Sequence, residues 1–301
     1  LDRARTVALD GDPTGDWVDY VVGVARVLRR RGVEITGADL VIDSDVPVGA
    51  GLSSSAALEV AVAGALGAPD GSGLSPIDLA RCCQRAENEY VGVSCGILDQ
   101  FAAVFGRRDH AVELDCRTLS HSYVPLDAGE ARLVAVDTNV SHRLADSAYG
   151  DRRATCERGV ELLSDLLGRD IDALRDVTPV EFGAVAADLP ETVRKRCRHV
   201  VRENKRVREA AAALGAGDLP AVGRLMGESH ASLRDDYAVS CDELDAVVDI
   251  ARGVDGVFGA RMTGGGFGGS VVALVRPDAV GPFRARVEGE YPERTGIDPD
   301  V

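Results

Sequence analysis

Apolar residues recur at helical spacing between Asp16 and Arg31, at Trp17, Tyr20, Val21, Val24, Val27 and Leu28, and Gly32 stops the run. Asp39 to Val46 reads as a strand, and the nearly unbroken apolar run from Ala56 to Leu66 as a buried helix. Ser75-Pro76 opens a further helix through Tyr90, with proline in its first turn. A short helix starts near Gly96 and passes Phe101. His110 to Cys116 and Ala131 to Thr138 read as strands, the second so apolar that burial on both faces is expected. Gly150 to Ala251 is helix-rich, and a strand pair, Val257 to Met262 and Ser270 to Val275, then encloses a glycine loop. The pattern predicts an α/β (α+β) chain of two domains, 1–125 and 126–301, with the boundary in the turn-like stretch from Ser122 to Gly129.

Between the Asp39 strand and the Ala56 helix lies Pro47-Val48-Gly49-Ala50-Gly51-Leu52-Ser53-Ser54-Ser55. Gly49 and Gly51 let the backbone turn sharply and approach a ligand, and the free N–H groups and positive dipole end of the following helix favour an anion. A glycine turn followed by a serine N-cap would explain much of this string. One serine suffices for a cap, however, and Ser53 to Ser55 supply three hydroxyls. The extra hydroxyls are available to a nucleotide phosphate or to Mg²⁺, which prefers hard oxygen ligands.

Composition narrows the class of nucleotide protein. The 301 residues carry 34 Lys and Arg against 49 Asp and Glu, a formal charge of −15, which argues against nucleic acid and anionic membranes as partners. The lysines are Lys195 and Lys205, both far from the serine loop in sequence. A Walker A loop needs a lysine directly after its last glycine, and a protein kinase needs one on an early strand; neither is present. The charge of a bound phosphate must then be met by helix dipole, arginine and metal. Seven cysteines, without a C-x-x-C pair, fit reduced thiols of a cytoplasmic protein. No secretory pattern opens the chain, and no apolar run approaches the ~20 residues of a membrane span.

A second loop, Met262-Thr263-Gly264-Gly265-Gly266-Phe267-Gly268-Gly269-Ser270, lies between apolar β-rich runs and must therefore pack. Its glycines permit positive φ and a close backbone approach, either to a ligand or within a structural hairpin. A dinucleotide fingerprint is excluded, since the loop leads into a strand and not a helix.

A kinase of this kind still needs a metal ligand and a group that orients or deprotonates the attacking hydroxyl. Glu87 lies near the end of the Pro76 helix, and Asp99 follows in Cys95-Gly96-Ile97-Leu98-Asp99-Gln100-Phe101. Apolar company around Asp99 predicts a carboxylate that is either paired or functional, because burying a bare charge costs several kcal/mol. Glu87 by itself reads equally well as a solvated helix charge.

Five strings in order, P-x-G-A-G-L-S-S-S-A-A-L-E-V, C-G-I-L-D-Q-F-A, D-x-N-V-x-H-x-L-A-x-S-x-Y-x-x-R-R, S-H-x-S-L-R-D-D-Y-x-V-S-C-x-E-L-D and M-T-G-G-G-F-G-G, resemble the galactokinase family. That family falls within the superfamily of galacto-, homoserine, mevalonate and phosphomevalonate (GHMP) kinases. The resemblance runs from about Asp39 to the C-terminus. It implies a GHMP kinase fold, with an N-terminal domain like the second domain of ribosomal protein S5, a ferredoxin-like C-terminal domain, and the site between them. It also implies ATP-dependent phosphorylation of galactose at its anomeric hydroxyl by a cytoplasmic monomer. Position by position, Gly49, Ala50, Gly51, Leu52, Ser53, Ser54 and Ser55 match the ATP phosphate loop, and Ser55 with Glu87 match Mg²⁺ ligands. Asp99 matches the acid that takes the sugar hydroxyl proton. Gly96 and Tyr149 match sugar contacts, and Gly264 to Gly269 match a loop that braces the phosphates.

Departures are few within the matched strings: Ala148 stands where the family usually has an acid, and Leu98 where it has methionine. The signature G-R-x-N-L-x-G-E-H-x-D-Y, which precedes Asp16 in the family, does not occur, and the chain ends at Val301 where the family continues into a last strand. The resemblance therefore implies a fragment that lacks the catalytic arginine and the acids reading the sugar hydroxyls, and that is inactive alone. With those acids absent, a kinase for N-acetylgalactosamine, arabinose or a uronic acid stays open. So does a silent sugar-binding regulator, although the intact Ser53-Ser54-Ser55-Ala56-Ala57 speaks against it.

Overall fold

The computed structural model describes residues 4–67, 73–126, 129–141 and 145–301, which divide into two units, Leu1–Tyr123 and Val124–Val301. In the first unit the helices are α1 (Val18–Arg30), α2 (Ser54–Ala65), α3 (Pro76–Ala86) and α4 (Leu98–Phe105). Strand β1 (His110–Leu114) pairs with β2 (His121–Pro125), which runs across the boundary. The second unit has β3 (Arg132–Ser141), α5 (Ala145–Leu167), α6 (Pro179–Val185), α7 (Glu191–Gly215), α8 (Leu219–Ser232), α9 (Asp242–Arg252), β4 (Val257–Met262), β5 (Gly268–Val275) and α10 (Val280–Thr295).

The core of the first unit is a helix packing built where the periodicity places it. Val24, Val27 and Leu28 of α1 meet Val62 and Ala63 of α2 and Cys82, Cys83 and Ala86 of α3. Gly23 permits the crossing, since a Cβ there would lie 3.2 Å from both the Ala86 carbonyl oxygen and the Tyr90 Cβ. Ser75 caps α3 by accepting the Asp78 N–H at 3.1 Å, with Pro76 in the first turn where its missing N–H is not needed. The α3 helix does not continue as expected: it changes at Glu87 into a π turn, Glu87–Val91, an inserted register that re-aims this segment.

The strand expected at Asp39 to Val46 does not form. That segment pairs with no neighbour among the described residues and is almost wholly exposed, Val41 completely so. A strand is defined by its ladder, and local alternation cannot supply one.

The second unit holds an antiparallel sheet in the order β3-β5-β4, with α9 and α10 packed on it. Its central strand is β5, whose Val271, Ala273, Leu274 and Val275 are buried. The expectation that β3 would be buried on both faces is corrected. Val134, Val136 and Thr138 are buried while Leu133 is 59 % exposed, because α9 and α10 cover only one face of the sheet at β3; β3 is also an edge strand, paired with β5 on one side and carrying on the other the bridge Asp137–Asp300. Helix α10, with Gly281, Pro282 and Pro292, carries no clean periodic signal and was not expected; Phe283, Val287 and Tyr291 anchor it in the core.

Candidate active site

Gly49, Gly51 and Ser53 adopt positive φ of 83°, 70° and 59°. Left-handed residues at alternate positions curl successive backbone N–H groups toward one side, the arrangement from which anion-binding nests are built. Ala50 is buried beneath the loop, whereas Leu52, Ser54 and Ser55 are half-buried. Ser53 occupies the N-cap position of α2 but its side chain makes no capping hydrogen bond, contrary to the expectation that these serines close the first turn. The reason is conformational: a capping side chain works from the extended region, and Ser53 is left-handed. Holding a non-glycine residue there costs on the order of 1–3 kcal/mol.

Helix α2 carries Ser55 and, one turn later, Glu59, whose side chain is fully buried. Glu87, at the junction of α3 and the π turn, is 6 % exposed. Between them sits Gln100, also fully buried, on α4. Its Nε2 donates to Glu87 Oε2 at 2.6 Å and to Glu59 Oε2 at 3.1 Å. The Cys95 thiol donates to the same Glu87 oxygen at 3.5 Å. Burial raises the Glu87 carboxyl above its ordinary value; hydrogen bonds from Cys95, Ser55 and Gln100 oppose the rise, and the Asp99 charge adds to it. Glu59 is pushed up to about 8, by burial first and by the charge of Glu87 next. The structure brings the Ser55 and Glu87 side chains together in a hydrogen bond, and the burial of Glu87 excludes the solvated-helix reading.

Asp99 opens α4 beside Gln100. It is exposed, as is Leu98, so the inference of burial from its apolar neighbours is corrected: Ile97 and Phe101 turn inward on the far side of the helical turn. Its charge nonetheless reaches both Glu87 and Glu59. Gly96 is exposed in the turn before α4, with open space where a Cβ would stand. Tyr149 lies in the first turns of α5, and its side chain falls outside the described residues.

The glycine loop joins β4 to β5 within the second unit, closed by Thr263 N–H donating to the Ser270 carbonyl at 2.9 Å. Its glycines divide in two. A Cβ at Gly266 would meet the Val239 carbonyl oxygen at 2.2 Å, and one at Gly268 the Val140 carbonyl oxygen at 2.3 Å, so those two serve packing. Gly265, in contrast, has open space where a Cβ would stand, and Gly264 is left-handed at φ 77°.

The chain matches the GHMP kinases N terminal domain over residues 19–107 and the GHMP kinases C terminal domain over residues 210–293. Over 285 residues, 95 % of this chain and 73 % of the relative, it is 51 % identical to a galactokinase of Chloroflexus aurantiacus. The chain belongs to the galactokinase family. A galactokinase of Thermotoga maritima is 43 % identical over 94 % of this chain and 78 % of its own length. Among solved structures, Lactococcus lactis galactokinase complexed with galactose superposes with a TM-score of 0.90 at 38 % identity, covering 97 % of this chain and 75 % of that one. Methanococcus jannaschii mevalonate kinase, at 16 % identity and a TM-score of 0.60, shares the fold.

As a galactokinase family member the chain is a sugar kinase with ATP as phosphoryl donor, on the two-domain GHMP kinase fold. Two residues of this buried cluster, Glu59 and Gln100, lie within the matched strings but received no role from them. A signal for each exists: an acid one turn after Ser55 in an otherwise apolar helix, and an amide directly after Asp99 with Phe101 and Ala102 following. Among the described residues no group of three or more His, Cys, Asp or Glu has the arrangement of a metal centre, and no helix is long and apolar enough to cross a membrane.

Proposed function

We propose that this protein transfers the γ-phosphoryl group of ATP to the anomeric hydroxyl of galactose, with Asp99 as the base and the Gly49 to Ser55 loop as the phosphate cradle. The observation that carries the proposal is the convergence of Ser55, Glu87 and the Asp99 charge from three different elements, next to a loop of alternating left-handed residues. The likeness to a galactokinase holding galactose supports the choice of sugar.

The Asp99 carboxylate accepts the proton of the anomeric hydroxyl, and the resulting oxygen attacks the γ-phosphorus in line with the departing bridge oxygen of ADP. Exposure suits that task, since a base must come within hydrogen-bond reach of the substrate hydroxyl. The loop N–H groups and the N-terminus of α2 offset phosphate charge. Gly96 leaves room for the sugar at the start of α4, and Tyr149 completes the sugar side. Gly264 to Gly269 are assigned to the phosphate-bracing loop on the likeness to the family. In this reading the domains divide at 125/126.

The residues present fit Mg²⁺. Ser55 and Glu87 offer hard oxygens, and among the described residues no arginine or lysine pairs with Glu87 or Glu59, whose Oε1 is buried without a partner. Mg²⁺ usually takes one or two protein ligands and completes its shell with phosphates and water, so a pair suffices. When bound, the ion neutralises β- and γ-phosphate oxygens. The free cysteines fit a cytoplasmic protein, which we take to act as a monomer.

The test is an assay of the purified protein, expressed with its native flanking sequence, for ADP release with ATP, Mg²⁺ and galactose, and for galactose 1-phosphate by mass and anomeric NMR. Galactose-dependent turnover on the order of 1–100 per second is expected. ADP release that ignores galactose, or that prefers another sugar, would contradict the assignment.

A further inference from the structure

One carboxamide ties together the three elements on which the proposed site stands. Gln100 follows Asp99 on α4, and its Nε2 reaches Glu87 at 2.6 Å and Glu59 at 3.1 Å. Glu59 lies one turn beyond Ser55 on α2, so this single amide connects the Ser55, Glu87 and Asp99 elements. Both amide hydrogens are used, one for each carboxylate.

The chemistry of the amide matters. An arginine or lysine at this place would form a salt bridge and neutralise the carboxylates that a cation needs. A neutral donor orients an oxygen without offsetting its charge. Glu87 Oε2 is engaged by Gln100 and by the Cys95 thiol, and the carboxylate also takes a hydrogen bond from Ser55, so its orientation is set by three side chains. Partners of this kind fix ligand orientation in metal sites, and losing them typically lowers metal affinity about 10- to 100-fold.

We propose that Gln100 is a positioning residue: its carboxamide, shared between Glu59 and Glu87, orients the Glu87 carboxylate for the nucleotide-bound metal and holds the Asp99 helix in register with the serine loop. The inference rests on the reading of Ser55 and Glu87 as the metal-binding pair. Gln100 itself touches neither phosphate nor sugar in this scheme, and acts through Glu87.

The test is Mn²⁺ binding, followed by electron paramagnetic resonance with a non-hydrolysable ATP analogue present, in the wild type, Gln100→Met and Glu87→Gln. Gln100→Met keeps the length and loses both donors. It should weaken Mn²⁺ binding about 10- to 100-fold, leave metal-free binding of the analogue and the KM for galactose unchanged, and lower kcat at limiting Mg²⁺. Excess Mg²⁺ should restore that kcat, which would not happen if the residue served packing alone. Should Gln100→Met fail to fold, Gln100→Asn, one methylene short of bridging both acids, is read in the same way. Wild-type Mn²⁺ affinity in a folded Gln100 variant, with Glu87→Gln impaired, overturns the positioning role and spares the site. Wild-type affinity in Glu87→Gln as well overturns the site reading and this inference together.

Discussion

In the first unit Glu59 and Glu87 are buried with no arginine or lysine among the described residues paired to them; in the second, Glu203 has Arg206 at 2.7 Å and Arg261 at 3.5 Å. Ser229 donates to Glu203 as well, and Arg198 reaches both oxygens of Asp236 through Nε, at 3.1 and 3.0 Å. The consequences for protonation are opposite. Burial raises Glu59 to about 8 with little to resist it. Burial also pushes Glu203 upward, but Ser229, Arg261 and Arg206 together bring it below its ordinary value. A carboxylate whose charge is met inside the chain has a structural task completed on folding. One whose charge is unmet is destabilising in isolation, and that arrangement makes sense where an external cation binds. By this criterion the polar network of α7, α8 and β4 braces the second unit, whereas the Glu59–Gln100–Glu87 cluster has the unmet charge that the proposed metal site requires.

The contrast predicts where each substitution does its damage. The largest effect belongs to Asp99→Asn, which keeps the shape and removes the proton acceptor: kcat should fall roughly 10² to 10⁴-fold while the Kd for ATP is unchanged. Turnover near that of the wild type would remove Asp99 from its role. Glu203→Gln should instead cost stability, up to about 3 kcal/mol, because it leaves two arginines facing each other without their acid. Denaturant unfolding would read this loss, and a midpoint equal to the wild type would show that the second network is not the brace described.

Glu59→Gln sharpens the comparison. The folded pKa of Glu59 lies above its unfolded value of 4.5, so its contribution to stability is present below that pH and is lost as pH rises toward about 8. Removing the titrating group should flatten the decline of the metal-free protein over this window, an effect of up to several kcal/mol, roughly 1.4 per unit of pKa shift. Parallel pH profiles for the two proteins would contradict the burial of an unmet charge. His199 gives the opposite sign in the second unit. Burial lowers it to about 4, and its Nδ1 lies 3.0 Å from the Ser232 hydroxyl. Its contribution is present above pH 6.5 and fades as pH falls toward 4. His199→Asn should flatten the acid limb by a smaller amount, and identical acid limbs would refute that assignment.

Local signals carried much of this architecture. Helical spacing from Trp17 to Leu28, the stop at Gly32 and the Ser75-Pro76 start all correspond to observed helices, since each depends on residues within a turn or two. What failed depends on distant partners. Asp39 to Val46 has a strand's composition and no ladder, and the apolar run of β3 could not reveal that it lies outermost. The π turns at Glu87–Val91 and Leu233–Tyr237 insert a residue into a helical register without any distinctive composition. At the site, Ser55 and Glu87 were legible only through the likeness to a family, because no spacing rule links residues on separate helices. Glu59 and Gln100 needed a different question, namely which polar residues interrupt apolar helix faces.

The distinction between met and unmet charge is tested most directly by thermal melting of the wild type, Glu87→Gln and Glu203→Gln, each with ATP alone and with ATP and Mg²⁺. At a hundredfold excess over Kd, a ligand specific for the folded state adds about 2.7 kcal/mol. Wild type and Glu203→Gln should gain the same metal-dependent increment in Tm, despite starting from different midpoints. Glu87→Gln should gain no more with Mg²⁺ than without it. A full metal-dependent increment in Glu87→Gln would contradict the account.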